Sequence, residues 1–303
     1  MKRPVRWLKP LSLRPRDTVH IVAPASAFDR PSFEVGLAAL AERYTPVHRP
    51  DLFTAHRYLA GEDPRRGEEL SRAFLDREAR AIFCARGGYG SARLLPDLPL
   101  ADAAPTAFVG FSDVTSVHGA MQALGRVSIH APVLTQFGKQ PPEVRDYLYR
   151  LLESPEAPPP LTGTATYVPG MAEGHLVGGN LSVLSRLIGT SYMPPLDGAV
   201  LLLEDVTERP YRLDRMWTHL RLAGVFSRVR GIVLGDFTSC EERNADYSSA
   251  DVLRELAREA GLPCAAGFPI GHGDINYPVA LGTQVRLDAD AARLTFLEGA
   301  VRA

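Results

Sequence analysis

Residues 106–125 read TAFVGFSDVTSVHGAMQALG. The opening TAFVG is a continuous apolar run rather than an alternating one, the pattern of a strand buried on both faces. A sharp FSD turn follows, and then the helix-like VTSVHGAMQAL. The same succession recurs outward from here. TVHIVAPAS (18–26), RAIFCARGG (80–88), AVLLLEDV (199–206) and RGIVLGDF (230–237) are apolar runs that end in small or polar residues. Between them, residues 32–43 place Phe33, Leu37 and Leu40 on one side, and residues 64–78 carry Leu70, Phe74 and Leu75. Residues 250–260 open on Ala250 and Asp251 and stop at Gly261, as an amphipathic helix would. Alternating strand and helix predicts an α/β fold built on parallel sheet, with ligands at the carboxyl ends of the strands.

One composition shift divides the chain. SPEAPPPLTGTATYVPG (154–170) holds five prolines and little apolar periodicity, which reads as a linker. The expected organisation is an N-terminal domain over 1–153, a proline-rich linker over 154–171 and a C-terminal domain over 172–303. The C-terminal part starts with EGHLVGGN (173–180), a short strand ending in a glycine turn, followed by the helical LSVLSRLIG. Its last stretch, 282–301, alternates apolar and polar positions around a turn at 288–291, a β-hairpin with one solvated face. The second half is therefore mixed, smaller and richer in β-structure.

The 303 residues are 45% apolar and 23% charged, which excludes a disordered chain. Lys plus Arg is 34 and Asp plus Glu is 35, a net charge of −1. That balance leaves no electrostatic footprint for nucleic acid or an anionic membrane. Cys84, Cys240 and Cys264 form no CxxC pair, so neither a thiolate zinc site nor a disulfide framework is expected. The basic start, MKRPVRWLKP, resembles a signal peptide, but Lys9, Arg14, Arg16 and Asp17 interrupt the apolar core that should follow. The expectation is a cytoplasmic protein.

Four constellations could carry chemistry. In GFSDV (110–114) a serine at a strand-to-helix turn can hold its hydroxyl above the sheet edge, beside the free N–H groups of the helix start. The full GxSxG elbow is absent, because Val114 occupies its last position, and Ser112 or Asp113 could simply cap the helix. RGGYGS (86–91) can serve as a phosphate cradle, half of an oxyanion hole or an ordinary turn. A dinucleotide fingerprint fits it poorly, since Arg93 stands where the third glycine should. Glu204 lies at the end of a buried strand and needs a partner there: a histidine N–H, or an arginine such as Arg212 or Arg215. Among eight histidines, His118 falls on another helix face from Ser112 and His20 lies inside a strand. His130 and His272 follow apolar segments, and the glycines of GHGD (271–274) favour His272 as an exposed loop residue. Serine, glutamate and histidine thus occur in the chain order known from α/β-hydrolases, although order alone does not make a triad.

The ordered blocks RGGYGSARLLPDL, VGFSDVT, GHLVGGNLSVLSRLIGT, LLLEDVTERPYRLDRMWTHLRLAG, GIVLGDF and PIGHGDINYPVALG resemble the LD-carboxypeptidase family, cytoplasmic serine peptidases also called muramoyltetrapeptide carboxypeptidases. The likeness runs from about Leu13 to about Gly282. It implies Ser112 as nucleophile, Glu204 as the acidic member, His272 as base, and an oxyanion hole from the backbone N–H groups of Gly88 and Asp113. It also implies a flavodoxin-like N-terminal domain, a smaller β-rich C-terminal domain, a homodimer, a muropeptide substrate and no metal or organic cofactor. Arg86, Arg93 and Asn180 are candidates for binding the substrate's carboxylate or amides. A branch of the family hydrolyses microcin C-type peptidyl-nucleotides, and the compact segment between Ser112 and Glu204 favours the peptidoglycan branch over it. Two readings of other kinds are a non-catalytic nucleotide or muropeptide sensor and an α/β-hydrolase esterase.

Overall fold

The computed structural model describes residues 6–303; residues 1–5, the first half of the basic start, lie outside the described residues. Two sheets organise the molecule. The first has six strands in the order Val279–Leu281, Ser128–His130, Ala107–Gly110, Ala81–Cys84, Thr18–Val22, Thr45–Val47. All of its pairings are parallel except that of Val279–Leu281 with Ser128–His130. Leaving that edge strand aside, the order is the flavodoxin-like one.

The second sheet has eight strands. Met171–Asn180, Val200–Val206, Gly231–Thr238 and Cys264–Ala266 form its parallel centre. The hairpin Gln284–Asp288 and Arg293–Phe296 adds antiparallel to Met171–Asn180. The fold is α/β, as the strand–helix alternation predicts.

Continuous apolar runs give both faces of a strand something to bury. Val19 and Ile21, Ala81 and Phe83, Ala107 and Val109 face one apolar cluster, which also takes Leu176, Val200, Leu202 and Val233 from the second sheet. The alternate residues Val22, Ile82 and Phe108 face a second cluster, with Leu70 and Phe74 of the Asp63–Leu75 helix and Val117 and Met121 of the Thr115–Ala123 helix. In the second sheet Leu201, Leu203, Ile232 and Leu234 pack on Leu213 and Trp217 of the Pro210–Leu222 helix and Leu253 of the Ser249–Ala260 helix. That last helix starts with a capping box between Ser248 and Asp251 and ends at Gly261, whose φ is 67°.

Residues 154–171, expected as a linker, also hold two short strands. Leu161–Thr162 pairs with Arg293–Phe296, and Ala165–Val168 pairs with Cys264–Ala266. They occupy the two opposite edges of the second sheet. Edge strands tolerate neighbouring prolines because only one side of each must donate to the ladder. The chain also crosses back: Val279–Leu281 joins the first sheet only a few residues before Gln284–Asp288 joins the second. Among the described residues no helix is long and apolar enough to cross a membrane.

Candidate active site

The carboxyl ends of the central strands of both sheets meet in one region. Ser112 follows Ala107–Gly110 directly and opens a 3₁₀ turn, Ser112–Val114, that leads into the helix. Its φ is +66°, in the left-handed region that non-glycine residues rarely adopt. Such strain at a strand-to-helix turn is how a serine is presented at a nucleophile elbow. The residue is half-buried. The N–H of Asp113 falls in the first turn, where no helix carbonyl is available to it.

The glycine loop lies against this turn. A Cβ added at Gly87 would stand 2.8 Å from the Ser112 Cβ and 3.0 Å from its Oγ, so only a glycine allows the approach. Gly88 is exposed beside it.

Glu204 and His272 come from the other sheet. Glu204 is fully buried near the end of Val200–Val206, and Asn180 stands opposite it in the ladder. His272 sits in the loop after Cys264–Ala266. Its Nδ1 bonds to Glu204 Oε2 at 2.6 Å. Gly271, at φ +127°, makes this contact possible, because a Cβ there would lie 2.8 Å from that same oxygen. Neither arginine is paired with Glu204: Arg212 pairs with Glu208, and Arg215 lies over the Tyr211 ring. The loop is fixed further by Gly271 N–H donating to Asn276 Oδ1 at 3.0 Å and Asn276 N–H donating to Gln140 Oε1 at 3.0 Å. Gly273 N–H donates to Asp236 Oδ2 at 3.3 Å.

The His272 ring packs on Phe111, the residue before Ser112, with centroids 4.6 Å apart. The structure therefore brings the three sequence candidates to one place. No hydrogen bond joins Ser112 to His272 among the described residues, and such bonds commonly tighten only when substrate is bound.

Burial lowers the His272 pKa, but the hydrogen bond and charge of Glu204, with the charges of Asp205 and Asp236, outweigh it and leave the pKa raised. Burial and then the Glu204 charge push Asp205 up to about 7. Burial first, and Glu204 among the rest, pushes Asp236 up to about 6. The remaining histidines here are neutral. Burial takes His118 down to about 4, and its ring bonds to the Ser128 hydroxyl and the Gly110 carbonyl at 2.8 Å each. Burial also takes His130 well below its ordinary value.

Three weaker candidates fare differently. Asn180 is buried, and its amide is already engaged: Nδ2 donates to Asp205 Oδ1 at 3.0 Å, and Oδ1 accepts from the Ser182 hydroxyl and the Val183 N–H. It caps the Leu181–Ser185 helix. Arg93 pairs with Asp63 at 2.8 Å. Arg86 is exposed beside the glycine loop and donates to the Ala27 carbonyl. Ser91, Arg66, Gln140 and Asp236 also hold the site together, and sequence reasoning missed them. Ser91 and Asp236 stand inside the quoted blocks; Arg66 and Gln140 carry no local signal. Among the described residues no group of three or more His, Cys, Asp or Glu side chains is arranged to hold a metal ion.

This α/β fold brings together a serine at a strained turn and a hydrogen-bonded Glu–His pair, the kinds of group that serine-hydrolase chemistry uses. This chain belongs to the LD-carboxypeptidase family, and it is a carboxypeptidase: residues 19–131 match the LD-carboxypeptidase N-terminal domain and residues 173–287 the C-terminal domain. A probable murein peptide carboxypeptidase of Bacillus subtilis is 35% identical over 304 residues, spanning 97% of this chain and 95% of that one. The murein tetrapeptide carboxypeptidase of Pseudomonas aeruginosa is 33% identical over 290 residues, spanning 91% and 94%. Among solved structures, the microcin C7 self-immunity protein MccF, as an inactive mutant in the apo state, shares the fold with a TM-score of 0.89 at 22% identity, covering 99% of this chain and all of that one.

Proposed function

We propose that this carboxypeptidase hydrolyses the amide bond between the L-centre of a diamino acid and the terminal D-alanine of a muropeptide tetrapeptide. The observation that carries the reading is the 2.6 Å bond from buried Glu204 to His272, on a ring held against the residue preceding Ser112. The murein peptide names of two relatives support the substrate class.

In this reading the Ser112 hydroxyl attacks the scissile carbonyl carbon while His272 Nε2 takes its proton. Glu204 holds the ring with Nδ1–H toward the carboxylate and stabilises the imidazolium as it forms. The N–H groups of Gly88 and Asp113 receive the oxyanion, each contributing about 3 kcal/mol to the transition state. The carbon–nitrogen bond then breaks, and the D-alanine amine leaves with the proton from His272. Water, deprotonated by His272, attacks the acyl-enzyme ester and restores the serine. In the same reading Arg86, exposed at the loop, supplies the cation for the terminal carboxylate. The resemblance extends the proposal to a cytoplasmic homodimer acting in peptidoglycan recycling.

The test is mass spectrometry of products from tri-, tetra- and pentapeptides and a peptidyl-nucleotide. D-Alanine release from the tetrapeptide is the expected result. Cleavage of the peptidyl-nucleotide alone would move the chain to the antibiotic-immunity activity. Sedimentation equilibrium checks the dimer.

A further inference from the structure

The glycine loop is fastened from two sides. On one side, Ser91 N–H donates to Asp113 Oδ2 at 2.8 Å. The Ser91 hydroxyl returns a bond to the Asp113 carbonyl at 2.8 Å and shares one with the Ser116 hydroxyl at 2.7 Å. On the other side, the fully buried Arg66 donates to the Gly90 carbonyl at 3.0 Å and to the Pro24 carbonyl. Ser26 N–H donates to the Gly87 carbonyl at 3.2 Å, and Ser26 Oγ accepts from Tyr89 N–H at 3.0 Å. Between these attachments the Gly88 N–H has no acceptor among the described residues.

The two donors expected of the oxyanion hole stand on different loops, one after Ala81–Cys84 and one after Ala107–Gly110. Strand pairing relates the two loops only loosely, because it ends before either donor is reached. The Asp113–Ser91 bridge lies beyond that point and is buried: Asp113 is 5% exposed and Ser91 and Ser116 are 0%. A carboxylate buried beside a nucleophile disfavours folding unless a donor solvates it, and here the Ser91 N–H that does so belongs to the loop that needs placing.

We propose that the Asp113 side chain, acting through the Ser91 N–H, is a positioning residue that sets the Gly88 N–H at its height above Ser112. The proposal rests on Ser112 being the nucleophile. The backbone N–H of Asp113 binds the oxyanion, and its side chain aligns the partner donor. An error of about 1 Å in such alignment lowers turnover by about 10²-fold.

Asp113→Leu keeps the branched shape of the side chain but has no acceptor, so the Ser91 N–H loses its partner. In the full chain with a tetrapeptide substrate, the expected result is a kcat lowered about 10²-fold with KM within about twofold of wild type. The inhibition constant of a peptide boronic acid, whose adduct on serine is tetrahedral, rises by the same factor. A carboxylate that merely stabilises the fold would shift the unfolding temperature and leave kcat and boronate affinity of the folded protein unchanged, which overturns the proposal. Should Asp113→Leu fail to fold, Asp113→Ala takes its place: a fall in kcat of about 10²-fold supports the clamp, and a kcat within about twofold of wild type overturns it. Ser112→Ala is assayed alongside. D-Alanine release by that variant removes the serine reading and the clamp with it; an inactive Ser112→Ala beside a fully active Asp113→Leu removes the clamp alone.

Discussion

Ser112 holds a φ of +66° because the strand before it and the helix after it are both locked by packing, which leaves the turn to absorb the misfit. Its removal is the simplest test: Ser112→Ala folds and releases D-alanine at least about 10⁴-fold more slowly, measured by product mass spectrometry. Glu204 offers a second test with a sign. His272 must be neutral to accept the serine proton, and Glu204 holds its pKa above 6.5 despite the burial that lowers it. In the wild type, kcat/KM therefore rises with pH through an apparent value above 6.5. Glu204→Gln removes the raising partner while the burial remains, so the same limb moves to lower pH and the plateau falls by about 10⁴-fold. A limb that stays in place would mean Glu204 does not act on His272.

The elements around these residues matter through their close approaches. The loop carrying His272 reaches Glu204 only because Gly271 has no Cβ to collide with the carboxylate oxygen 2.8 Å away. Gly271→Ala should push the ring off Glu204, lowering kcat by about 10²-fold with a smaller change in KM, read by steady-state kinetics. The glycines around His272 were visible in the sequence as an exposed-loop signal. What they make room for was not, because Glu204 stands 68 positions earlier. The strands and the Ser249–Ala260 helix were legible because burial on both faces and capping leave local patterns. The strands inside 154–171 were not. Their prolines and glycines read as a break, and their pairing partners lie on distant segments.

The whole molecule is stitched rather than hinged at one point. Alternate residues of both sheets bury into one apolar cluster, and Val279–Leu281 from the C-terminal half completes the edge of the first sheet. Scanning calorimetry of the full chain should accordingly give one cooperative transition, and a fragment ending at residue 153 should lack a cooperative transition of its own. Two separated transitions would show that the halves fold independently. Asn180 gives the same lesson in a single side chain. Beside a glycine turn in the sequence it looks free to meet a substrate, yet the fold places it opposite Glu204 and engages its amide with Asp205 and the next helix.

Sequence alone was enough for the α/β class and the capped helices, and to single out Ser112, Glu204 and His272 as candidates, because each leaves a mark within a few residues of itself. Folding in three dimensions was needed to settle that Glu204 pairs with His272 rather than with an arginine, that Asn180 and Arg93 are already engaged, and that Asp113 and Arg66 grip the glycine loop. Those outcomes depend on strands far apart in the chain ending side by side, where hydrogen bonds of about 3 Å are made or missed by the packing of the sheets that carry them.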